Sequence, residues 1–454
     1  MIIEPKTFVL AVSAGCSVVS ILSYGSEIVT ISSAQQVRAT QQLNLLIEAA
    51  LSRDSSRKQY FAQSQAMLEN GIASATLMDP KLKIGVGGLP VDSFRFDEDP
   101  MTNLSIGLMQ QFERGDSRKL NQQKSTQQAE GLTAQIQLRE REIANQMTQL
   151  WLELGYQQQA ERLIEENQRL MDAMVSYIQT DYSIGNSEAQ DLLAAQLQVN
   201  ILEDKRLANR QTQDRLIAQL SEWLGNDWVH DAQSIQASNQ LTWHHLERVL
   251  RESKADNLFF NHLNQHPMAL MADINISVNQ TQVEIAQQAY TPQFGIEVMY
   301  GYRQANNMRG EPASDLLSAY LTMDIPLFTT NRQDRSLSAA QYNVGAAKYQ
   351  KDALLAQLHA QVNKLIADRT ALAERIERYQ SSLLPQTNAR IEAVERGYQN
   401  NEAQFNDLIT ASTDKLALQL ELQRLQTDWN LTNSQLAALL NGFEYQVIPL
   451  HNNN

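Results

Sequence analysis

The 454-residue sequence holds a single cysteine, Cys16. The chain therefore has no intrachain disulfide, and no thiolate cluster can hold a metal. Prolines are absent between Pro100 and Pro267, and no Pro/Gly/Ser-rich linker divides the chain. A chain of this length would ordinarily make about three domains, yet it reads as one elongated object. Basic residues are outnumbered, 37 Lys and Arg against 51 Asp and Glu, for a net charge of −14. That balance excludes the basic footprint nucleic acid requires and favours cationic partners or cargo. Beyond the N-terminus no run approaches the roughly 18 consecutive apolar residues of a membrane-spanning helix, so a bilayer could be crossed only by strands. Phosphate loops, serine elbows and paired-carboxylate hydrolase motifs are missing, and no enzyme activity or cofactor is predicted.

What the sequence has instead is a repeat with an offset of about 216 residues. Tyr182 matches Tyr398, Asp191 matches Asp407, Leu192 matches Leu408, Leu202 matches Leu418, Leu220 matches Leu436 and Leu224 matches Leu440. A duplicated unit this long is a supersecondary block. Each copy runs strand, turn, strand, then two long helical stretches joined at a Tyr-x-x-Gly or Tyr-x-x-Asn turn. The first repeat spans 26–230, with strands at about 82–112 and helices at about 117–224. The second spans 231–442, with strands at about 293–328 and helices at about 332–441, and 443–454 forms a tail.

Phe294, Ile296, Val298, Tyr300 and Tyr302 alternate with polar or small residues, as do Ala319, Leu321, Met323 and Ile325. The counterparts in the first copy are Ile84 and Val86, then Leu104, Ile106 and Leu108. In the strand region an offset of 217 fits better than 216, which implies a one-residue shift between copies. Such period-2 alternation fits outer-membrane barrel strands, and equally a soluble sheet with one wet face. Two hairpins give four strands, whereas a closed transmembrane barrel needs about eight or more, so several copies would have to contribute.

In the helical stretches apolar residues recur at spacings of three and four, as in Leu193, Leu197, Ile201 and Leu216, Leu220, Leu224. Long partners packed along their length, as in coiled coils, are the expected arrangement. The fold class is thus mainly α with a small β part. At the N-terminus, Phe8 to Ile21 is apolar, with small residues at Ser23 and Gly25, fitting a signal peptide over 1–25. Lipidation at Cys16 and a buried N-terminal helix are alternatives. His244, His245, His262 and His266 lack the spacing of a metal site, and Trp223, Trp228 and Trp243 read as packing for the segment that joins the repeats.

The order of duplicated hairpin and long helix pair resembles the TolC-like outer-membrane efflux factors, from about Ala34 to Gly442. Asp79-Pro80-Lys81-Leu82-Lys83-Ile84-Gly85-Val86, Leu89-Pro90-Val91-Asp92 and Met101-Thr102 are similar to the branch that serves heavy-metal pumps of the resistance-nodulation-division (RND) class. So are His266-Pro267, Tyr290-Thr291-Pro292-Gln293-Phe294, Leu384-Pro385 and Arg396-Gly397-Tyr398. The resemblance implies a homotrimer with a 12-stranded barrel in outer-membrane lipid and a periplasmic helical tunnel. It implies docking to a periplasmic adaptor (membrane fusion) protein and an inner-membrane RND transporter, with passive efflux of heavy-metal cations; drug efflux or type I protein secretion is the alternative. By position it makes Asp407 a channel-constriction carboxylate and has Asp191 hold the first tip, with Tyr182, Gly185 and Tyr398 marking the helix-tip turns. Ala403 and Thr410 depart from the family pattern, in which an Arg and a second acidic ring stand there. A soluble coiled-coil scaffold would explain the helices but not the strands.

Overall fold

The alternating segments pair edge to edge into one antiparallel sheet in a computed structural model that describes residues 33–185, 187–225, 228, 235–253, 259–400 and 402–450. The segment read as a signal peptide, with Cys16, lies outside the described residues. Strands β1 (Lys81–Gly87), β2 (Asn103–Gln111), β3 (Gln293–Tyr302) and β4 (Leu316–Asp324) lie in the order β1-β2-β3-β4. The central pairing joins the two repeats. Its register sets Ile84 opposite Ile106, Ile106 opposite Tyr300, and Tyr300 opposite Leu317. Because side chains alternate between faces, one face is a continuous apolar surface of Leu, Ile, Val, Phe and Tyr. That face is bare: Ile84 is 70% exposed and Leu317 77%. The other face carries Gly85, Ser105, Gly301 and an ion pair of Lys83 with Glu297 at 2.7 Å.

Each hairpin leads into a long helical arm. Helix α1 (Ser33–Arg53) and α2 (Ser55–Ala75) precede β1, and α3 (Ser117–Ser183) and α4 (Ala189–Leu224) follow β2. At about 1.5 Å per residue, the 67 residues of α3 extend roughly 100 Å. In the second repeat α5 (His244–Ser253), α6 (Phe259–Asn264) and α7 (Pro267–Gln288) precede β3. After β4 come α8 (Gln333–Arg378), a π-turn (Tyr379–Leu383), α9 (Leu384–Gln399) and α10 (Phe405–Leu440). Of the two helices expected over about 332–441, the first is interrupted once, by the π-turn between α8 and α9, and the second is α10. The helix before each hairpin, α2 or α7, is an element the sequence reading did not foresee.

Comparing element starts corrects the strand offset. Helix starts differ by 216 (Ser117 to Gln333, Ala189 to Phe405), but strand starts differ by 212 (Lys81 to Gln293) and 213 (Asn103 to Leu316). For β2 and β4 the offset of 217 misled because alternating sequence looks alike at every even shift, and 217 lies four from 213; for β1 and β3 it lies five from 212 and would exchange the two faces.

The core sits at the equator, where α1, α3, α4, α5 and α10 converge on Ile47, Leu51, Met147, Trp151, Leu220 and Leu436. Trp243 is buried there, and Trp223 and Trp228 pack against the same cluster. The connecting segment crosses α3 so closely that a Cβ on Gly155 would fall 2.3 Å from the Ser238 carbonyl carbon, so only glycine fits. Some polar groups inside this belt are paired: Trp243 Nε1 donates to Asn430 Oδ1 at 2.8 Å, and Asn239 to Thr427 at 3.2 Å, whereas the buried Trp151 Nε1 has no hydrogen-bond partner among the described residues. The buried Arg57 guanidinium donates twice to Glu140, at 2.6 and 2.9 Å. Burial still pushes the Glu140 carboxyl above its usual range, outweighing the attraction of Arg57. The two predicted apolar stripes of α4 diverge. Leu216, Leu220 and Leu224 are buried, whereas Leu193 is 64% and Leu197 60% exposed. Among the described residues the lower stripe is left largely uncovered.

Candidate functional site: the helix tips

The first tip forms where α3 ends. Tyr182 carbonyl accepts from the Gly185 amide at 3.0 Å, and Gly185 has φ of +81°, a conformation an L side chain strains to adopt. Residue 186 lies outside the described residues. Asp191 then falls in the first turn of α4, where a carboxylate suits the helix dipole. The second tip is built differently. At the end of α9 the Asn400 amide bonds the Arg396 carbonyl at 3.1 Å, and the amides of Glu402 and Ala403 return to the Gly397 carbonyl at 2.7 and 3.1 Å. Residue 401, which would complete the Tyr-x-x-Asn motif, lies outside the described residues. Helix α10 opens on a reciprocal capping box. Gln404 accepts from the Asp407 amide through its side chain and donates its own amide to Asp407 Oδ2 at 3.1 Å. Asp407 is exposed, so its position serves the cap and leaves the carboxylate facing solvent. Thr410 is exposed and spends its hydroxyl on the Asn406 carbonyl at 2.8 Å.

The two tips are joined by aromatic and aliphatic packing. The Tyr398 ring meets Tyr177 edge-on, with centroids 6.5 Å apart at 70°, and Phe405 at 5.9 Å. Ile164, Met171, Ile178, Ala195, Leu202, Leu408 and Leu416 form the apolar layer behind them. Burial, then Tyr177, Asp181 and Asp191, raise the Tyr398 hydroxyl above its ordinary value; a hydrogen bond with Ser187 offsets part of this. Tyr177 is raised as well, by burial and then Asp181. Asp191 thus lies within electrostatic reach of the opposite tip through Tyr398. Tyr182, by contrast, is 47% exposed. Above the joined tips α4 and α10 part around a cavity of about 220 Å³ lined by Tyr156, Lys205, Thr413, Leu416 and Arg424, among others. The structure therefore packs Tyr398 against Tyr177 and Phe405, sets Asp191 in the first turn of α4, and leaves Asp407 and Tyr182 on the surface. Sequence reasoning missed Tyr177, Phe405 and the ion pairs Arg390–Asp414 (2.7 Å) and Arg375–Glu421 (3.0 Å) along the second arm. The Phe405 signal lay in plain view, as an aromatic at the first position of α10.

No group of three or more His, Cys, Asp or Glu among the described residues is placed to hold a metal. His266 is used structurally, as the N-cap of α7. Among the described residues no helix is long and apolar enough to cross a membrane.

With this geometry in place the comparisons are specific. Residues 261–442, from α6 to the end of α10, match the family model for outer membrane efflux protein. The fold is that of solved outer-membrane channels. The outer membrane protein VceC from Vibrio cholerae superposes with a TM-score of 0.71 at 18% identity, covering 90% of this chain and 99% of that one. A CusC structure, described by its transmembrane channel formation, gives 0.70 at 14% identity, covering 89% of this chain and 92% of that one. The open-state MtrE outer membrane channel of Neisseria gonorrhoeae gives 0.66 at 12%, covering 91% of this chain and 93% of that chain. No curated protein sequence matches the chain.

Proposed function

We propose that this chain is the outer-membrane exit duct of a tripartite efflux pump, conducting its cargo passively. The observation that carries the reading is the sheet. It has one bare apolar face and two unpaired edges, β1 and β4, and neither is tolerable in lipid without closure. Three copies of four strands would give a barrel of twelve, within the range of known outer-membrane barrels. The exposed α4 stripe at Leu193 and Leu197 is then available for a neighbouring protomer. The helix tips reach into the periplasm, where a periplasmic adaptor and an inner-membrane RND transporter would dock. The cargo we propose is heavy-metal cations. That assignment rests on the motif resemblance around Asp79–Asp92 and on the net charge of −14. Asp407, exposed at the second tip, would form a ring of three carboxylates on the axis, which attracts cations. Asp191 would hold the first tip through Tyr398.

Detergent extraction followed by planar-bilayer recording tests the reading. Heat-resistant trimers that give cation-selective steps, with selectivity lost in Asp407→Ala, are the expected outcome. A product that is soluble without detergent would refute the duct.

A further inference from the structure

The two arms are duplicates, yet only one is jointed. In the first repeat α3 runs unbroken from Ser117 to Ser183. The equivalent run of the second repeat, 333–399, has the same length but is divided by the π-turn Tyr379–Leu383 and by Pro385 in the first turn of α9. Pro385 lacks the amide that would close an α-turn on Ser381, and the chain widens instead: the Leu384 amide bonds the Tyr379 carbonyl, five residues back. A proline beside a π-turn is a recognised cause of helix bending, and hinges concentrate where a few residues absorb the torsional change. The positions matching this joint in the first repeat, 163–169, lie inside continuous helix, with Ile164 buried.

The surroundings suit a joint. Leu384 is the one buried side chain of α9, so the helix beyond the joint is held mainly by Tyr398 and Val394 at its far end. On either side an exposed ion pair ties the arm to α10: Arg375 to Glu421 before the joint and Arg390 to Asp414 after it. Exposed pairs of this kind are weak and can slide or exchange partners.

We infer that the Tyr379–Pro385 junction is the pivot on which α9 and the start of α10 swing away from the first arm, opening the tip. This rests on reading the chain as a gated duct, and Pro385 acts as a positioning residue that touches no cargo. Amide hydrogen exchange on the full chain in detergent, with bilayer recording of the same preparations, tests it. In the wild type, 379–387 should exchange faster than 163–171. Pro385→Ala restores one backbone hydrogen bond, so exchange at 379–387 should slow about fivefold, and transitions between conductance levels should become rarer by a similar factor. Exchange at 379–387 as slow as at 163–171 in the wild type would overturn the pivot. So would unchanged transitions in Pro385→Ala. Faster exchange at the joint with no conductance from any preparation would uphold the joint as a local opening and refute the duct.

Discussion

Replacing Tyr398 with alanine should release the second tip from the first. The ring makes two aromatic contacts, with Tyr177 at 6.5 Å and Phe405 at 5.9 Å. Only the Tyr177 contact crosses to the first arm, since Phe405 opens α10 of the same arm as Tyr398. A pair in this geometry contributes roughly 0.5–1.5 kcal/mol beyond area burial, so its loss shifts the closed-to-open equilibrium by about that amount. At about 1.4 kcal/mol per decade, that is about 2- to 12-fold. Limited proteolysis of detergent-solubilised protein, read at residues 184–188 and 400–404, should accelerate within that range, and the time spent at high conductance in bilayers should lengthen. Tyr398→Phe keeps both ring contacts and should stay close to wild type at neutral pH. The raised hydroxyls of Tyr177 and Tyr398 give a second handle. A phenol whose value is raised by folding stabilises the packed state below its ordinary value near 10, and that contribution is lost as pH rises through the raised value. Tip release should therefore increase above about pH 10 in the wild type and less so in Tyr398→Phe. Equal proteolysis of Tyr398→Ala and wild type would refute the claim that these rings hold the tips together. Equal effects of the alanine and phenylalanine variants would transfer the role to the hydroxyl.

Burial, with Arg141 adding to it, holds His266 at about 4, below its ordinary 6.5. Its contribution is present above pH 6.5 and lost as pH falls from 6.5 towards 4, a difference on the order of 3 kcal/mol. His266→Asn keeps an N-cap for α7 and should flatten the fall in melting temperature across that window; an unchanged slope would place the acid sensitivity elsewhere. Arg57→Ala leaves Glu140 buried without its guanidinium and should cost roughly 3–5 kcal/mol in thermal or denaturant unfolding. A loss below about 1 kcal/mol would show that the pair is solvated as exposed pairs are.

Much of this architecture is legible in the sequence, and its limits follow from symmetry. The long helices announce themselves through apolar spacing, and the hairpins through alternation flanked by polar loops. Offset comparison fails at β2 and β4 because a period of two cannot separate shifts that differ by an even number. Helices α1, α2 and α7, of 21, 21 and 22 residues, lie outside the hairpin and long-helix order on which the repeat was read, and they pack against α3 and the equatorial core. At the tips a repeat reveals what the two copies share, whereas the contacts that matter are those they do not. Tyr177 corresponds to Ala393, Phe405 to Ala189 and Pro385 to Arg169 at the offset of 216. Reading matched pairs pointed to Tyr182 and Tyr398 as equals, but Tyr182 is on the surface and Tyr398 is packed between the arms.

The sheet offers a decisive contrast between a wet and a lipid environment. Ile106 sits in the middle of β2, between Ile84 and Tyr300, and is 50% exposed within the protomer. If that face meets water, Ile106→Arg trades an exposed apolar side chain for a solvated cation and changes stability by no more than about 0.5 kcal/mol. If it meets acyl chains near mid-bilayer, the guanidinium costs about 2–4 kcal/mol. Ser105, next in the chain, points to the opposite face beside Gly85 and Gly301. In a water-filled barrel Ser105→Asn should be tolerated, so the pair separates the two faces of one strand. Denaturant titration in micelles, with heat resistance of the assembled form as a second readout, measures both. A large loss for Ile106→Arg beside a small one for Ser105→Asn is the pattern of a barrel wall with lipid on one side and water on the other. Neutral behaviour of both would mean that the apolar face is wetted, leaving no reason for the open edges β1 and β4 to close against other copies.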